Sequence, residues 1–537
     1  MVGITEAEAK ELDEKYVFQN KYVYLSVMQH ETAHRTRRIA KNTLMLYIRM
    51  LFMMFMGLYT SRIVLQALGE NDYGIYNVIG GVVAMFAIIS GALNSAVSRF
   101  ITFEMGKGED AQLNKVYSTA VTIQLILALV VAIAAEPIGL WFIDHKMTID
   151  PARIPAARWV LHFSLLAFVI NLMSIPQMAS ITAHERMSAY AVIGIMDGLL
   201  RFGVAVSIIN TSHDRLILYA SLMAVSVLLI RFAYGIYCRT HFSECRYRPV
   251  FDIQLLKEMF SFAGWNFIGV TAGVLRDHGG TILVNIFSGS VAVNAARGVA
   301  MQLSNAVQGF VTNFMTAVNP QITKSYAAGE HEYMFSLMRK SSRMAYYLLL
   351  VLVLPVLFNT DMLLKFWLGD VPQTSADFAK LFLILALSES LSGPLMTGMQ
   401  ATGKIRNYQI LVGGLIMLNF PVSYIFLRCG AFPEVTVLVA IVISQICLFA
   451  RLYMLRRQMA FPVSEYLRRV YLNILKVTAV AVTLPFAFLR FLPDGYVGFA
   501  VNVPLCVLCA VISVLFIGCS ESERKELWTM IRRRFCK

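Results

Sequence analysis

The sequence predicts an all-α polytopic membrane protein with about 14 transmembrane helices. Of its 537 residues, 57% are hydrophobic and only 15% are charged, whereas a soluble protein of this length carries about a quarter charged residues. The apolar residues fall into blocks of about 20, the length that an α-helix needs to cross about 30 Å of hydrocarbon. Because backbone polar groups inside a membrane must be satisfied within each block, the blocks are predicted to be helices.

Short polar connections separate the predicted spans. The spans cover residues 44–66, 73–97, 117–136, 159–179, 189–209, 216–238, 259–286, 291–317, 343–360, 378–400, 408–428, 436–455, 470–490 and 496–518.

The predicted order of these spans divides the chain into five regions. Residues 1–41 are a polar tail, 42–238 an N-lobe of spans 1–6, and 239–458 a C-lobe of an interfacial helix followed by spans 7–12. Residues 459–520 add spans 13 and 14, and 521–537 form a basic C-terminus.

The formal net charge of +14 is unevenly distributed over these regions. Most Lys and Arg residues fall in the two terminal regions and in the loops that follow even-numbered spans. Such an excess marks the cytoplasmic side of a membrane protein, so both termini are predicted to be cytoplasmic. The connections with Asp72 and Asp214 are then periplasmic. The positive charge therefore indicates topology, and no nucleic-acid partner is expected.

A weak internal repeat relates the two lobes. Pro176 corresponds to Pro394 and Tyr190 to Tyr408 at the same offset, in equivalent places of the span count. Since each lobe has an even number of spans, both copies have the same orientation, related by a pseudo-two-fold axis along the membrane normal. A duplicated six-helix bundle with a site between its lobes is typical of secondary transporters, and the two C-terminal helices lie outside this repeat.

Arginines within the predicted spans are candidates for function, because a charge at mid-bilayer costs about 2.5–3.5 kcal/mol on insertion scales. Arg201 follows Asp197 by one helical turn, which predicts an ion pair. Arg276 and Arg297 lie well inside their spans and are expected to line a hydrated cavity. Nearer to span ends, where a side chain can reach the interface, are Arg49, Arg62 and Arg231.

Only three clear acids accompany these arginines, so the interior is predicted to be net positive. Asp277 is not expected to neutralise Arg276, since consecutive side chains point apart on a helix. Arginine binds phosphate oxygens bidentately, which favours an anionic headgroup held by Arg49, Arg62, Arg276 and Arg297. If transport is coupled to ions, the candidate titratable residues are Asp197, Asp277, His278 and Glu389.

The N-terminal tail contains one metal-binding pattern. His30, Glu31 and His34 match H-E-x-x-H, but a zinc site also needs a third ligand and a cleft around the metal. A membrane zinc protease is therefore only a remote alternative. No metal, no cofactor and no enzymatic activity are expected.

Two segments resemble a known transporter family. Ser61–Phe86 (SRIVLQALGENDYGIYNVIGGVVAMF) and Ala295–Tyr326 resemble the polysaccharide flippase branch of the MOP exporter superfamily, the Wzx-type O-antigen and lipopolysaccharide-repeat translocases. Leu255–Trp265 is similar to that branch as well. The resemblance covers roughly residues 40–460, and its most specific part is Leu-Gly-x-x-x-Tyr-Gly-x-Tyr from Leu68 to Tyr76.

This resemblance implies a two-lobed, MATE-like fold in the inner membrane. The implied cargo is an undecaprenyl-pyrophosphate-linked oligosaccharide, moved from the cytoplasmic to the periplasmic leaflet. An H⁺ or Na⁺ gradient or the membrane potential could drive the transport. Membrane lipids and polysaccharide-assembly proteins are the implied partners.

Two other classes of membrane protein are weighed against a flippase. A MATE-type multidrug or cation exporter shares the fold, but cationic drugs need acidic cavities. A membrane glycosyltransferase or O-antigen ligase needs a large periplasmic loop, and none is predicted.

Overall fold

The computed structural model describes residues 6–84, 86–108, 112–145, 147, 149–209, 211–249, 252–288, 291–368, 374–488, 495–521 and 523–525, with side chains from Arg38 onward. Within these ranges the backbone forms helices and short connections without a β-strand. Eleven described helices are long and apolar enough to cross a membrane. The prediction of an all-α polytopic membrane protein is therefore confirmed.

The helices follow one another along the whole described chain. They are α1 (Glu6–Ala84), α2 (Ala87–Gly106), α3 (Leu113–His145), α4 (Ile154–Ala183), α5 (Met187–Ser207), α6 (Arg215–His241), α7 (Ile253–Ser288), α8 (Val291–Ala327), α9 (His331–Phe358), α10 (Thr360–Leu368), α11 (Ser375–Ser390), α12 (Ser392–Ala401), α13 (Arg406–Tyr408), α14 (Gly414–Met417), α15 (Asn419–Arg428), α16 (Val435–Met459), α17 (Val463–Tyr466), α18 (Leu472–Phe488) and α19 (Tyr496–Ser513). Single π-turns occupy Gln409–Gly413, Leu467–Tyr471 and Val514–Gly518.

Helices occupy all 14 predicted positions within the described residues. The predicted spans 73–97, 259–286 and 291–317 are not among the eleven candidates. Two of them carry charged side chains within the helix, Arg276 with Asp277 in α7 and Arg297 in the second turn of α8. Such residues lower the hydropathy of a helix even where protein neighbours surround it. The number 14 itself remains a prediction.

The predicted spans 1 and 2 are joined at Gly69, which lies within α1. Its φ of 77° and ψ of 169° are not helical, and glycine reaches positive φ without the steric cost of a Cβ. Before this point Val64 packs with the end of α5 and the start of α6. After it, Ile79 packs with α3 and α4. Gly69 therefore separates two segments that bury their apolar faces against different neighbours.

The two predicted lobes pack mainly within themselves and meet along four helices. α1 to α6 contact one another, and α7, α8, α9, α11, α12, α15 and α16 form the second group. Contacts between the groups run chiefly from α1 and α2 to α7 and α8. α18 and α19 pack on each other and on α9, so the C-terminal pair lies beside the C-lobe. The boundaries of the lobes remain predictions.

Ionic contacts mark the two ends of the bundle. At one end Arg153 donates to Asp72 and, over 2.5 Å, to Asp214. These three residues belong to three connections that are predicted to lie on the same side of the membrane, and the contacts bring those connections together. At the other end, called here the basic end, Glu185 pairs with Lys324 at 2.9 Å and with Arg38 at 3.1 Å.

The predicted interfacial helix is not a separate element. α7 begins at Ile253 and continues unbroken to Ser288. Asp252 precedes it, accepting from the Leu255 backbone amide at 3.0 Å and from Lys115 Nζ at 2.6 Å. An aspartate that caps the first turn in this way lets the helix begin before the membrane and run directly into it.

Candidate functional site

Two cavities with polar groups in their walls lie side by side within the bundle. The interlobe cavity, about 310 Å³, is lined by α2, α4 and α5 from the N-lobe and by α8 and α12 from the C-lobe. The C-lobe cavity, about 400 Å³, is enclosed chiefly by α8, α11, α12 and α16. Thr316, Asn319 and Thr397 line both, and Thr397 Oγ1 donates to Asn319 Oδ1 at 2.8 Å. A thin polar wall therefore separates them.

Neutral hydrogen-bonding groups dominate the interlobe cavity. Arg99 is the only charged side chain among its described lining residues. Amides and hydroxyls can donate to and accept from sugar hydroxyls, and arginine matches phosphate oxygens. The cavity thus combines the groups that a glycosyl phosphate requires. Its polar lining includes Asn94, Ser95, Ser98, Thr182, Thr323 and Gln400.

Arg99 links the two lobes at this cavity, a role that the sequence did not reveal. Its Nη2 donates to the Ala401 carbonyl at the end of α12, 3.0 Å away. Its Nε is buried and has no hydrogen-bond partner in the described structure. The guanidinium lies 4.4 Å from the centroid of the Phe103 ring. Gly403 makes the approach feasible, since a Cβ there would lie 2.7 Å from Nη2.

Arg49 lies directly behind the wall of the interlobe cavity. Its guanidinium carbon is 4.5 Å from the centroid of the Tyr190 ring, and Tyr190 lines the cavity. A Cβ on Gly194 of α5 would lie 2.1 Å from Arg49 Nε, so only glycine leaves room for the arginine. That Nε is buried and has no hydrogen-bond partner among the described residues. Arg62, in contrast, is exposed and lines neither cavity.

Arg276 is neutralised by two acids, which corrects one expectation. Its Nε donates to Asp277 Oδ1 at 2.8 Å, and its Nη1 pairs with Glu389. Adjacent side chains leave a helix in different directions, but the long arginine bends back far enough to meet its neighbour. The expectation that Asp277 leaves Arg276 unneutralised is wrong. Arg276 lines the C-lobe cavity as part of an ion triad.

Arg297 is surrounded by neutral partners inside the C-lobe. Only 3% of its surface is exposed. Its guanidinium donates to Thr436 Oγ1 at 3.0 Å and to Thr281 Oγ1 at 3.2 Å, and it lies 5.1 Å from the centroid of the Phe382 ring. These contacts join α7, α8, α11 and α16, so Arg297 braces the C-lobe.

The four arginines predicted to hold an anionic headgroup do not surround one cavity in the described structure. Arg276 and Arg297 are neighbours through Asp277, whose carboxylate accepts from the first and whose carbonyl accepts from the second at 3.4 Å. Arg49 is held against α5 in the other lobe, and Arg62 is exposed.

The candidate residues for ion coupling are mostly engaged in ion pairs. Both carboxylate oxygens of Asp197 accept from Arg201 Nε at 3.0 Å, which confirms the predicted pair. Asp277 and Glu389 both pair with Arg276. His278 is exposed and lines neither central cavity.

Arg451 is a second functional candidate that sequence reasoning missed. Although it lies near the end of predicted span 436–455, it is only 8% exposed and lines the C-lobe cavity. It donates to the Tyr408 hydroxyl at 3.1 Å and to Ser392 Oγ at 2.9 Å. Tyr408 is the repeat counterpart of Tyr190, which contacts Arg49. Searching both tyrosines for arginine partners would have drawn attention to Arg451.

The H-E-x-x-H pattern receives no structural support. The side chains of His30, Glu31 and His34 lie outside the described residues. In the part of the chain that is described, no group of three His, Cys, Asp or Glu residues is arranged to hold a metal ion.

Comparisons with known proteins identify the family and the fold. A family model for polysaccharide biosynthesis proteins matches residues 39–326. No curated protein matches the chain. A MATE structure in complex with MaD3S is 12% identical, covering 81% of this chain and 97% of its own, with a TM-score of 0.68. A mutant of the Vibrio cholerae MATE transporter VcmN is 15% identical, covering 80% and 99%, with a TM-score of 0.66.

A further similar structure is a MOP superfamily transporter from Pyrococcus furiosus, described as having a binding pocket of reverse polarity. It is 11% identical, covers 80% of this chain and 96% of its own, and has a TM-score of 0.65. At such identities the structural likeness shows the fold, while the family model spans more than half of this chain. The chain therefore belongs to the polysaccharide biosynthesis protein family, as a multi-pass membrane protein with the MATE fold.

Proposed function

We propose that this transporter flips undecaprenyl-pyrophosphate-linked oligosaccharides from the cytoplasmic to the periplasmic leaflet of the inner membrane, with both termini in the cytoplasm. The observation that carries the proposal is the interlobe cavity, whose described lining has hydroxyls, amides and one arginine but no acid. Sugar hydroxyls and a diphosphate both find partners in such a lining. The membership in a polysaccharide biosynthesis family agrees with this cargo.

In this proposal Arg99 is the main ligand of the diphosphate, supported by the positive charge of Arg49. Both side chains have a buried Nε without a hydrogen-bond partner in the described structure; Arg99 lines the cavity, and Arg49 lies behind its wall against Tyr190. An always-charged guanidinium with an unsatisfied donor attracts phosphate strongly. Arg276 and Arg297 stabilise the C-lobe beside the cargo. Arg62 does not bind the cargo and lies at the membrane surface.

Alternating access would use the contacts that close the basic end. Lys324 and Gln321 of α8 both donate to Glu185 of the N-lobe, at 2.9 and 2.7 Å. α2 and α8 approach so closely that a Cβ on Gly106 would lie 2.6 Å from Ala327 Cβ. These contacts lie between the lobes at the basic end. Opening it would admit cargo from the cytoplasmic leaflet, and closing it would release cargo outward as the lobes rock.

A cation exporter with the same fold is the alternative, and the charges oppose it. The described lining of the interlobe cavity has no carboxylate. The one acid lining the C-lobe cavity, Glu389, already pairs with Arg276. A cationic drug would therefore meet arginine without a free counter-charge.

Export of surface glycan by a deletion strain carrying Arg99 variants tests the proposal. Arg99→Gln should lower export by roughly tenfold or more, because a charged hydrogen bond to phosphate contributes about 1.5–3 kcal/mol. Arg99→Lys should keep partial activity, since a point charge still attracts phosphate. Arg231→Gln is the matched control, because Arg231 lies in a predicted span but lines neither central cavity.

Membrane abundance is measured for each variant alongside export. Loss of export in Arg99→Gln at normal abundance, with lipid-linked repeat units accumulating inside, supports the proposal. Normal export by this variant would overturn Arg99 as the headgroup ligand. Normal export accompanied by increased drug sensitivity would favour the exporter of cations.

A further inference from the structure

A third cavity, distinct from the transport site, lies at the basic end. It is about 820 Å³ in volume and is enclosed by α9, by the turns that join α17 to α18, and by the residues after α19. It shares no lining residue with the two central cavities. Five basic side chains surround it, against two acids, Glu465 and Glu523. The basic residues are Arg339, Lys340, Arg343, Arg468 and Arg469.

The two acids do not satisfy this positive charge. Glu465 accepts from Arg339 and Arg469, each at 3.0 Å. Within the described residues, Lys340 and Arg468 make no hydrogen bond or ion pair. Both are exposed at the cavity. The cavity therefore presents two exposed cations beside neutralised ones.

A buried donor in the wall of this cavity is also unsatisfied. The side chain of Arg343 is 12% exposed and pairs with Glu523 at 2.6 Å. Its Nη1 donates to the Gly518 carbonyl at 3.3 Å, but its buried Nε has no partner in the described structure. A buried N–H without an acceptor costs free energy, so an anionic oxygen at this wall would stabilise the fold.

Apolar helix surface continues from the cavity into the membrane region. Leu472 and Leu475 of α18 are 50% and 52% exposed, and Phe516 in the π-turn after α19 is 66% exposed. Leu472 adjoins the lining residue Asn473. Phe516 is two residues before Gly518, whose carbonyl Arg343 holds. A pocket for an anion is thus followed directly by a surface suited to acyl chains.

We propose that this cavity binds the phosphate headgroup of an anionic membrane phospholipid, whose acyl chains lie against α18 and α19. Basic pockets between transmembrane helices on the cytoplasmic side are suited to anionic headgroups, and arginine matches phosphate oxygens. A bound phospholipid would bridge α9 of the C-lobe to the C-terminal helix pair. The cargo would occupy the separate interlobe cavity.

Native mass spectrometry of the purified full-length protein, with phosphatidylglycerol and phosphatidylcholine as probes, tests this proposal. Phosphatidylglycerol should bind in preference to phosphatidylcholine. The double variant Lys340→Gln/Arg468→Gln should lose roughly tenfold or more of this binding, because each basic side chain near an anionic lipid contributes about a fivefold gain in affinity. Lys340→Arg/Arg468→Lys should retain it, which separates charge from folding.

The matched control is Arg456→Gln/Arg457→Gln, which removes the same charge from exposed positions at the same end of the bundle that do not line the cavity. Unchanged binding by this control supports the proposal, and equal losses in both double variants would overturn it. Displacement of the phospholipid by millimolar inorganic phosphate would assign the site to a soluble anion. Displacement by undecaprenyl pyrophosphate would assign it to the cargo, and either result overturns the phospholipid as the occupant.

Discussion

Two arginines near the central cavities of the C-lobe, Arg276 and Arg297, and two of the N-lobe, Arg49 and Arg99, have opposite surroundings. In the C-lobe, Arg276 is paired with two acids and Arg297 with neutral hydroxyls and a carbonyl. In the N-lobe, Arg49 and Arg99 each have a buried Nε without a partner in the described structure. The same sequence signal, an arginine in a membrane helix, therefore has two physical roles. Arg276 and Arg297 hold helices together, whereas Arg49 and Arg99 keep an unsatisfied donor, which the proposed function assigns to the cargo.

The repeated tyrosines show this difference at equivalent positions. Tyr190 presents the face of its ring to Arg49, at 4.5 Å from the centroid. Tyr408 instead accepts a hydrogen bond from Arg451 at 3.1 Å. A cation over a ring keeps its N–H groups free, whereas the hydrogen bond consumes one. If the two lobes are repeats, both copies pair this tyrosine with an arginine, and in the proposed function only the N-lobe arginine supports anion binding.

The largest expected effect is on the ion triad of the C-lobe. Arg276→Gln leaves Glu389 and Asp277 without their cation. Breaking a buried pair costs about 3–5 kcal/mol. Since Asp277 is 38% exposed and partly solvated, we expect about 2 kcal/mol or more here. Thermal unfolding in detergent should show a lower midpoint, and membrane abundance should fall.

Removing Glu389, one of the two acids that Arg276→Gln leaves without a cation, tests the cause of this loss of stability. Arg276→Gln/Glu389→Gln should recover part of the stability, because it removes one of the two carboxylates left without a cation and returns the group to its original net charge of one negative. A double variant that is no more stable than Arg276→Gln would show that packing, and not charge, dominates at this site. If protons drive transport through Glu389, the single variant Glu389→Gln should change the pH dependence of export.

The next prediction compares how the loss of one arginine from each lobe, Arg297 or Arg49, affects stability and export. Arg297→Gln should destabilise the protein by about 1–3 kcal/mol, because Thr281 and Thr436 lose a charged donor. Arg49→Gln should change stability by less than about 1 kcal/mol, the scale of an isolated cation–π contact. Export should behave in the opposite way. Export per molecule in the membrane should stay normal in Arg297→Gln and fall in Arg49→Gln, and equal export per molecule in both would remove the contrast between the lobes.

The sequence alone predicted the fold more completely than the functional site. Hydropathy blocks and helix-length limits predicted the helices correctly, because the membrane constrains length and backbone hydrogen bonding. The pair of Asp197 with Arg201 was also predicted, since it depends only on helical spacing. The partners of Arg276 and Arg297 depend on how helices far apart in sequence pack, and no periodicity reveals that. Arg99 was overlooked because its contact with Ala401 crosses between lobes.

A smaller effect concerns the closure of the basic end. Glu185 accepts from Lys324, Gln321 and Arg38, and its side chain is only 2% exposed. Glu185→Gln weakens these charged contacts between the lobes, so the basic end should open more often. A cysteine introduced at Thr323, which lines the interlobe cavity, should react several-fold faster with a thiol reagent from the cytoplasmic side. An unchanged rate would show that other contacts hold the end closed.

The smallest effect is expected where α7 enters the membrane. The hydrogen bond from Lys115, joined by that from the Leu255 amide, holds the pKa of Asp252 below its usual range. A carboxylate with a lowered folded pKa adds stability above its unfolded pKa of about 3.9, and that stability is lost as the pH falls through the folded value. Asp252→Asn should therefore lower the unfolding midpoint slightly from pH 5 to 8, and the difference from wild type should shrink as the pH falls below about 3.9. Lys115→Gln should behave in the same way. A difference that does not shrink with falling pH would mean that the cap of α7, and not the ionic contact with the N-lobe, accounts for the stability at this junction.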